Sequence, residues 1–153
     1  VFGVCSRNLD LVETEDNNYW KTARALKLEE KPKEIGSNLA LQGELIGEGI
    51  QGNKYKLTGI DMYLFDIYDI DKGVYLNAKE REELTKKLGI KHCPVIKFYT
   101  LSKDETSASL LTMAEGKSAL NKNTEREGLV FKCIEENISF KAISNKFLLK
   151  NNE

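Results

Sequence analysis

The glycine-rich stretch from Asn38 to Gly59 (NLALQGELIGEGIQGNKYKLTG) constrains the fold more than any other part of this chain. Its first half alternates with a period of two, so that Leu39, Leu41 and Leu45 fall on one face of an extended strand. Glu44 falls on the opposite face, flanked by glycines that allow close approach to the backbone. The pattern predicts a strand with its leucines toward the core.

Two interpretations of Glu44 stay open on this pattern. It is either a surface carboxylate on an edge strand beside a glycine-rich turn, or a carboxylate that the strand delivers to a site. A phosphate-binding loop is not indicated, because the stretch has neither a Gly-Lys-Ser/Thr sequence nor dinucleotide-type glycine spacing at the start of a helix.

The rest of the chain alternates β-rich runs with separate helices and has no regular βαβ repeat. This order favours an α+β fold with largely antiparallel sheets. Helices are expected near residues 14–28, 77–89 and 107–120, and strands near 1–7, 39–47, 60–70, 93–101, 127–134 and 138–149.

Composition limits the function classes. A length of 153 residues indicates one domain, and 23 basic against 24 acidic residues leave no overall basic surface for nucleic acid, so any such contact must come from a local patch. No apolar run approaches the about 20 residues of a membrane span. The three cysteines are far apart and odd in number, which is typical of reduced cysteines in a cytoplasmic protein.

His92 is the single histidine, and it stands directly before Cys93 at an expected strand start. Sequence neighbours point apart in an extended chain, so His92 and Cys93 do not predict a nucleophile–base pair. The chemistry left to this chain is that of carboxylates, lysines and arginines.

Four further residues stand out, each with an ordinary alternative. Glu127 opens a β-rich run that ends at Lys132, and a charged strand end is commonly solvated. Lys141 lies in another such run, where a lysine is commonly an outer-face residue with its stem along apolar surface. Phe65 shares a face with Tyr63 and Ile67 if the strand alternates regularly, which indicates core.

Taken together and in order, these segments resemble a known set of motifs. SRNLDL, LQGELIGEGIQ, MYLFDIY, REGLVFK and SFKAISNKFLLK are similar to motifs Ia, III, IIIa, IV and V of the covalent nucleotidyltransferases, which comprise ATP-dependent RNA ligases, DNA ligases and mRNA capping enzymes. GELIGEGIQ and FKAISNKFLL look most like RNA ligases. The resemblance implies a ligase-type, ATP-grasp-like nucleotidyltransferase domain over residues 1–153, with largely antiparallel sheets flanked by helices.

The resemblance also implies a reaction in three steps. A lysine attacks the α-phosphate of ATP to give an enzyme–AMP adduct, and AMP then moves to an RNA 5′-phosphate. A 3′-hydroxyl displaces AMP and seals the strand. The expected partners are therefore ATP or AMP, a divalent metal (Mg²⁺ or Mn²⁺) and RNA ends, including those of a nicked duplex, in RNA repair.

Roles follow motif by motif from the resemblance. For the nucleotide, it implies that Arg7 contacts the ribose or the nucleic-acid end, Glu44 holds a ribose hydroxyl, and Phe65 stacks on adenine.

For the phosphates, the resemblance implies that Glu127 helps to bind the metal, directly or through water. Lys132 and Lys141 are expected to lie near the phosphates and to neutralise their charge.

The chain departs from the family pattern in two ways. The Lys-x-Asp-Gly motif that carries the nucleophilic lysine is absent, and its expected place is upstream of FGVCSRN. We therefore interpret the chain, which begins at Val1 without a methionine, as an N-terminally incomplete domain that cannot adenylylate itself. The second departure is that Lys141-Ala142-Ile143 replaces the Lys-x-Lys of many relatives, with Lys146 nearby but out of step.

Two alternatives to an RNA ligase remain at this stage. An ATP-dependent DNA ligase has the same motifs. A non-catalytic module that binds nucleotides or RNA ends, having kept the pocket and lost the nucleophile, also accounts for the missing lysine motif.

Overall fold

The structure, a computed structural model, describes residues 1–151 and divides into two compact units. The first unit comprises residues 1–51 and 58–93, and the second comprises residues 52–57 together with the chain from Pro94 onward. The elements, in chain order, are α1 (Asn18–Ala25), α2 (Glu30–Glu34), β1 (Leu39–Gly47), β2 (Ile60–Asp69), β3 (Val74–Tyr75), α3 (Ala78–Leu88), β4 (Lys91–His92), α4 (Ser107–Ala114), β5 (Gly128–Lys132), β6 (Ser139–Ile143) and α5 (Asn145–Asn151).

The first unit is built on the antiparallel pairing of β1 with β2, which runs from Leu39 opposite Asp69 to Gly47 opposite Ile60. β3 continues the sheet beside the end of β2, and β4 pairs with β2 in parallel. α1 and α3 pack against β2. The buried core shared by these elements consists of Ala23, Leu28, Leu64, Ile67, Leu88 and Ile90.

The two helices that cover the sheet begin at asparagine caps. The Asn17 side chain accepts hydrogen bonds from the first amides of α1, and Asn77 forms a reciprocal capping box with Glu80 at α3. α3 ends at Gly89 in the left-handed conformation, φ 62°. The sequence prediction of helices at these two places is confirmed.

A β-bulge interrupts the β1–β2 pairing beside Phe65. Gln42 pairs with Asp66, but Gly43 pairs with Leu64, so Phe65 has no opposite residue. Leu64 and Ile67 are both fully buried although they are three residues apart. The prediction that Phe65 shares the core face with Ile67 is wrong, because the extra residue turns Phe65 out of the core and leaves its side chain 37% exposed.

The second unit contains the β5–β6 hairpin, whose pairing runs from Gly128 opposite Ile143 to Lys132 opposite Ser139. α4 packs against both strands. The segment 52–57 belongs to this unit: its Tyr55 carbonyl accepts a hydrogen bond from the Asn121 side chain at 3.0 Å, and its Lys54 ammonium lies 5.3 Å from the centre of the Phe147 ring.

Two of the predicted strands do not form. Residues 1–7 contribute a single bridge between Cys5 and Asp10, closed by a turn. The strand β4 consists of Lys91 and His92 and ends just before the run 93–101, in which only the Cys93 amide bonds to β2, through the Leu64 carbonyl at 2.8 Å. Residues 93–101 are assigned to no strand. Suitable residue types predict an extended chain, but a strand also needs a neighbour.

The predicted element at 138–149 is half strand and half helix. β6 ends at Ile143, and the Ser144 hydroxyl then accepts the amide of Phe147, which starts α5. Serine at this position is a strong helix start signal. The helix expected over 107–120 stops at Ala114, just before Gly116 with its φ of 132°. No helix among residues 1–151 is both long and apolar enough to cross a membrane.

The glycines at the end of β1 give a test of close packing. A Cβ on Gly47 would lie 1.9 Å from the Gly59 carbonyl oxygen, whereas a Cβ on Gly49 would meet nothing within 4 Å. Both residues have positive φ, so Gly49→Ala should cost about 1–2 kcal/mol of unfolding free energy from backbone strain alone. Gly47→Ala should cost clearly more. Urea unfolding followed by the fluorescence of Trp20, which lies in the first unit, measures both, and equal losses would contradict the close contact.

The turn after β2 gives a prediction about acid. The buried Asp69 carboxylate accepts the Lys72 amide at 3.0 Å and pairs with the Lys72 ammonium at 3.2 Å, and chiefly the amide hydrogen bond lowers the pKa of Asp69 below its ordinary value of 3.8. This carboxylate therefore stabilises the fold above pH 3.8, and the contribution is lost as the pH falls through the lowered pKa. Asp69→Asn should be less stable than the parent at neutral pH.

The difference in unfolding free energy between Asp69→Asn and the parent should shrink progressively below pH 3.8. Lys72→Met serves as the control. It removes the ammonium but keeps the amide, so most of the acid sensitivity should persist. If the difference in unfolding free energy between Asp69→Asn and the parent is the same at every pH, the lowered pKa of Asp69 is contradicted.

Candidate functional site

The β5–β6 hairpin brings two of the predicted lysines to one face. Val130 pairs with Lys141, and Lys132 pairs with Ser139. Residues paired across two strands share a face, and residues two apart along one strand also share a face. Lys132 therefore lies on the same face as Val130 and its partner Lys141, as a diagonal neighbour of Lys141. The opposite face holds Phe131 stacked on Phe140, with ring centres 4.8 Å apart. The hairpin therefore places Lys132 and Lys141 on one face and the stacked aromatic pair on the other.

Glu127 contacts one of these two lysines. The Lys141 ammonium donates to the Glu127 carboxylate and forms an ion pair with it. The side chains of Lys141 and Glu127 are 44% and 34% exposed. These two residues, which are fourteen positions apart in sequence, thus contact each other and are both accessible to solvent. The contact arises because Glu127 immediately precedes β5 and Lys141 lies on the paired strand β6.

The main chain of Glu127 is held on both sides. Its N–H donates to the Tyr55 hydroxyl at 3.4 Å, and its carbonyl oxygen accepts the Ser144 amide at 2.7 Å. Tyr55 comes from the segment 52–57, more than seventy residues earlier in the sequence. Sequence reasoning missed Tyr55, because no local pattern indicates a contact over that separation.

Lys146, which lies near the position of the missing second lysine of the Lys-x-Lys pattern, forms an ion pair of its own. Its ammonium pairs with Glu115 at 2.8 Å. That hydrogen bond is the main cause of the raised pKa of Lys146. Lys146 therefore stabilises the connection between α5 and the end of α4.

The first unit presents Glu44 and Phe65 on the sheet face that is opposite the core. Glu44 is exposed and pairs with Tyr63, so the two side chains share a face. Leu64 points into the core, and the bulge then places Phe65 outward again. The prediction that Glu44 faces away from the leucine core is confirmed, and Phe65 joins it through the bulge.

The region beside the bulge is tied to α3 by a buried arginine. Arg81 donates through Nε to His92 Nε2 at 3.1 Å, and its Nη1 lies 3.5 Å from the Asp66 carboxylate. His92 Nδ1 lies 2.6 Å from the Cys93 carbonyl oxygen. Both ring nitrogens of His92 therefore take part in contacts with the surrounding protein.

Arg7 is the last of the predicted site residues. The structure places it in the exposed turn between Cys5 and Asp10, where the Ser6 amide donates to the Leu9 carbonyl at 2.8 Å. Among the contacts described for residues 1–151, none joins Arg7 to Glu44 or Phe65.

The side chains of this chain limit how it could bind a metal ion. In residues 1–151 no group of three or more histidine, cysteine, aspartate or glutamate side chains could hold a metal ion by itself. Mg²⁺ and similar ions in nucleotide enzymes commonly use one or two carboxylates, water and substrate phosphates. Glu127, a partly exposed carboxylate in contact with Lys141, fits a metal of that kind, which would arrive with a nucleotide.

The Glu127–Lys141 pair should contribute little to stability. Partly exposed ion pairs stabilise by less than about 1 kcal/mol, since solvent screens the charges. Lys141→Met and Glu127→Gln should therefore each leave the thermal unfolding midpoint, measured by far-UV circular dichroism, almost unchanged. The stacked Phe140 supplies the contrast: Phe140→Ala should lower the midpoint markedly. A large loss in either charge variant would assign a structural part to the ion pair.

The chain matches the family model described as RNA ligase over residues 1–150. A comparison with curated proteins gave no match. Among solved structures, a lysine-to-alanine variant of Naegleria gruberi RNA ligase with ATP and Mn is 50% identical and covers 98% of this chain, with a TM-score of 0.89.

Two further structures of the Naegleria ligase agree. The ligase with PPi is 51% identical over 98% of this chain, with a TM-score of 0.88, and a lysine-to-methionine variant with AMP and Mn is 52% identical over 97%, with a TM-score of 0.87. In each case this chain spans 45% of the Naegleria chain, less than half of its length. The match confirms the predicted α+β fold with antiparallel sheets and helices. The chain belongs to the RNA ligase family.

Proposed function

We propose that this chain is part of an ATP-dependent RNA ligase that joins RNA 5′-phosphate and 3′-hydroxyl ends through enzyme–AMP and RNA–adenylate intermediates. Residues 1–153 form its nucleotidyltransferase domain, which is incomplete at the N-terminal side. The observation that carries the proposal is the contact of Glu127 with Lys141 on the β5–β6 hairpin. It joins a metal-binding carboxylate to a phosphate-binding ammonium.

The Naegleria structures support this assignment. They include variants in which a glutamate and a lysine are replaced by alanine, and these two positions lie fourteen residues apart in that protein. Glu127 and Lys141 have the same spacing. The ligands of the Naegleria structures are ATP, AMP and PPi with or without Mn, which are the substrate, the transferred group and the leaving group of adenylyl transfer.

At the phosphates, the chain supplies charge. Adenylyl transfer is accelerated chiefly by neutralising the charge that builds on the phosphate oxygens and by aligning the leaving group. Lys141 and Lys132 would donate charge-assisted hydrogen bonds to those oxygens. Glu127 would hold Mg²⁺ or Mn²⁺, directly or through water, and the bound metal would polarise the phosphate.

At the nucleoside, the sheet face of the first unit supplies contacts. Phe65, turned outward by the bulge, would stack on adenine, and base–aromatic stacking is worth about 1–3 kcal/mol. Glu44, on the same face, would accept a hydrogen bond from a ribose hydroxyl. Arg7 would bind the ribose or the RNA end from its exposed turn.

The nucleophilic lysine is proposed to lie upstream of Val1. Variants of the Naegleria ligase replace a lysine and an aspartate that are two residues apart and lie 142 and 140 residues before the glutamate. In this chain only 126 residues precede Glu127, and no Lys-x-Asp-Gly occurs. A non-catalytic module that binds nucleotides or RNA ends is the second candidate, and it would lack this lysine in the longer protein as well.

A DNA ligase is the less favoured alternative, because the matching family is that of RNA ligases. We further propose that the ligase acts in RNA repair in the cytoplasm on broken RNA ends, including those of a nicked duplex, with Mg²⁺ as the physiological metal.

Labelling with α-phosphate-labelled ATP tests the proposal. With Mn²⁺, a protein that contains this sequence and its natural upstream region should become covalently labelled with AMP, whereas residues 1–153 alone should not. Lys141→Ala in the longer protein should reduce labelling at least tenfold, because the phosphates lose a cation. Lys122→Ala is the control, since Lys122 is an exposed loop lysine of the same unit.

Each outcome assigns a different function. Labelling of residues 1–153 alone would show that the nucleophile lies within this chain. If the longer protein binds ATP but is never labelled, the non-catalytic module is correct. If labelled protein seals nicked DNA but not RNA, the DNA ligase alternative is correct.

A further inference from the structure

We propose that Arg126 is a positioning residue for the ligase reaction. Its side chain anchors the main chain directly before Glu127 to the end of α4, and this fixes the direction of the Glu127 carboxylate. The inference rests on the proposed function of Glu127 as a metal ligand. It assigns a role to a residue that contacts neither the metal nor the nucleotide.

The Arg126 guanidinium binds the carboxyl-terminal end of α4. Its Nε donates to the Ala114 carbonyl at 2.9 Å, and its Nη2 donates to the carbonyls of Met113 and Glu115, both at 2.7 Å. The last carbonyls of a helix have no partner within the helix, and they form the negative end of its dipole. A guanidinium that meets three of them at once is held in one place and one orientation.

The main chain of Arg126 is fixed at the same spot. Its amide donates to the Gly116 carbonyl at 2.9 Å, next to the bridge between Lys117 and Glu125. Gly116 leaves room for the guanidinium, because a Cβ there would lie 3.4 Å from Arg126 Nη2. Arg126 is therefore attached to the turn after α4 by both its backbone and its side chain.

This attachment determines where Glu127 points. Successive side chains of an extended chain point in opposite directions, so the backbone rotation that would swing the Glu127 carboxylate would also pull the Arg126 guanidinium from its three carbonyls. The Tyr55 hydroxyl and the Ser144 amide hold the two peptide groups of Glu127 itself. Without the Arg126 guanidinium, the three bonds to the end of α4 are lost, and this stretch is held by main-chain hydrogen bonds and by the solvent-screened pair with Lys141.

The orientation of a carboxylate affects its affinity for a metal ion more than it affects its contribution to stability. Groups that orient a ligand without touching the metal change metal affinity by about 10–100-fold when they are removed. A residue that merely stabilised α4 would lower the amount of folded enzyme and would leave its metal requirement alone. The metal requirement thus separates the two roles.

The test uses the ligase that contains this sequence with its upstream region. The rate of AMP labelling from ATP is measured against Mn²⁺ concentration for the parent, Arg126→Met and Arg126→Lys. Arg126→Met should raise the Mn²⁺ concentration needed for the half-maximal rate by about tenfold or more. Arg126→Lys keeps the charge but replaces the planar guanidinium, which donates from two nitrogens, by a single ammonium, so its requirement should lie between the other two.

Lys146→Met is the matched control. Lys146 is also a cation that binds the end of α4, through Glu115, but it does not adjoin Glu127. Its removal should leave the Mn²⁺ requirement of the parent unchanged. The proposal is overturned if Arg126→Met lowers the rate by the same factor at every Mn²⁺ concentration, or if Lys146→Met shifts the requirement equally.

If Arg126→Met does not fold, as judged by circular dichroism, Arg126→Lys decides alone: a raised Mn²⁺ requirement supports the proposal and an unchanged one overturns it. Failure of the proposed function is a separate result, because the parent ligase would then take up no AMP at any Mn²⁺ concentration, and the positioning role would be rejected with it.

Discussion

The antiparallel pairing of β1 with β2 is the constraint on which the first unit depends. It sets which residues enter the core, because each side chain on one strand shares a face with its partner on the other. One extra residue at the bulge changes that assignment halfway along β2. Leu64 and Ile67 can then both be buried while Phe65 lies outside. The same irregularity that completes the core therefore presents an aromatic ring beside Glu44.

The second unit separates the groups that stabilise it from the groups that would carry chemistry. Its buried side chains, among them Ala114, Ala142 and Phe147, have no part in the proposed reaction. Glu127 and Lys141 form a half-exposed ion pair, which solvent screens. Both are nevertheless placed by backbone pairing, since one adjoins β5 and the other lies on β6. The paired strands thus position two charged side chains whose mutual attraction is weak enough for either of them to bind a ligand instead.

Much of this arrangement could be predicted from the sequence, and the failures have a common cause. The helices expected near residues 14–28 and 77–89 and the alternation around Glu44 rest on local signals, and the structure confirms them. The strand expected at residues 93–101 and the regular alternation through Phe65 are wrong. Each depended on a neighbouring strand, on its presence or its register, and neither can be read from a local pattern. The start of α5 was missed for another reason, because the serine cap at Ser144 followed a convincing β run.

The sequence by itself determined the family and the candidate residues, because the order and chemistry of five short motifs are properties of the chain alone. Only the tertiary structure decided which of those residues meet. Glu127 contacts Lys141 because two strands pair, and Tyr55 reaches the Glu127 amide although more than seventy residues separate them. Arg126 is a further example, since an arginine before a glutamate does not by itself indicate in the sequence which groups the arginine contacts. Its part depends on the end of α4, and that proximity exists only after the chain has folded.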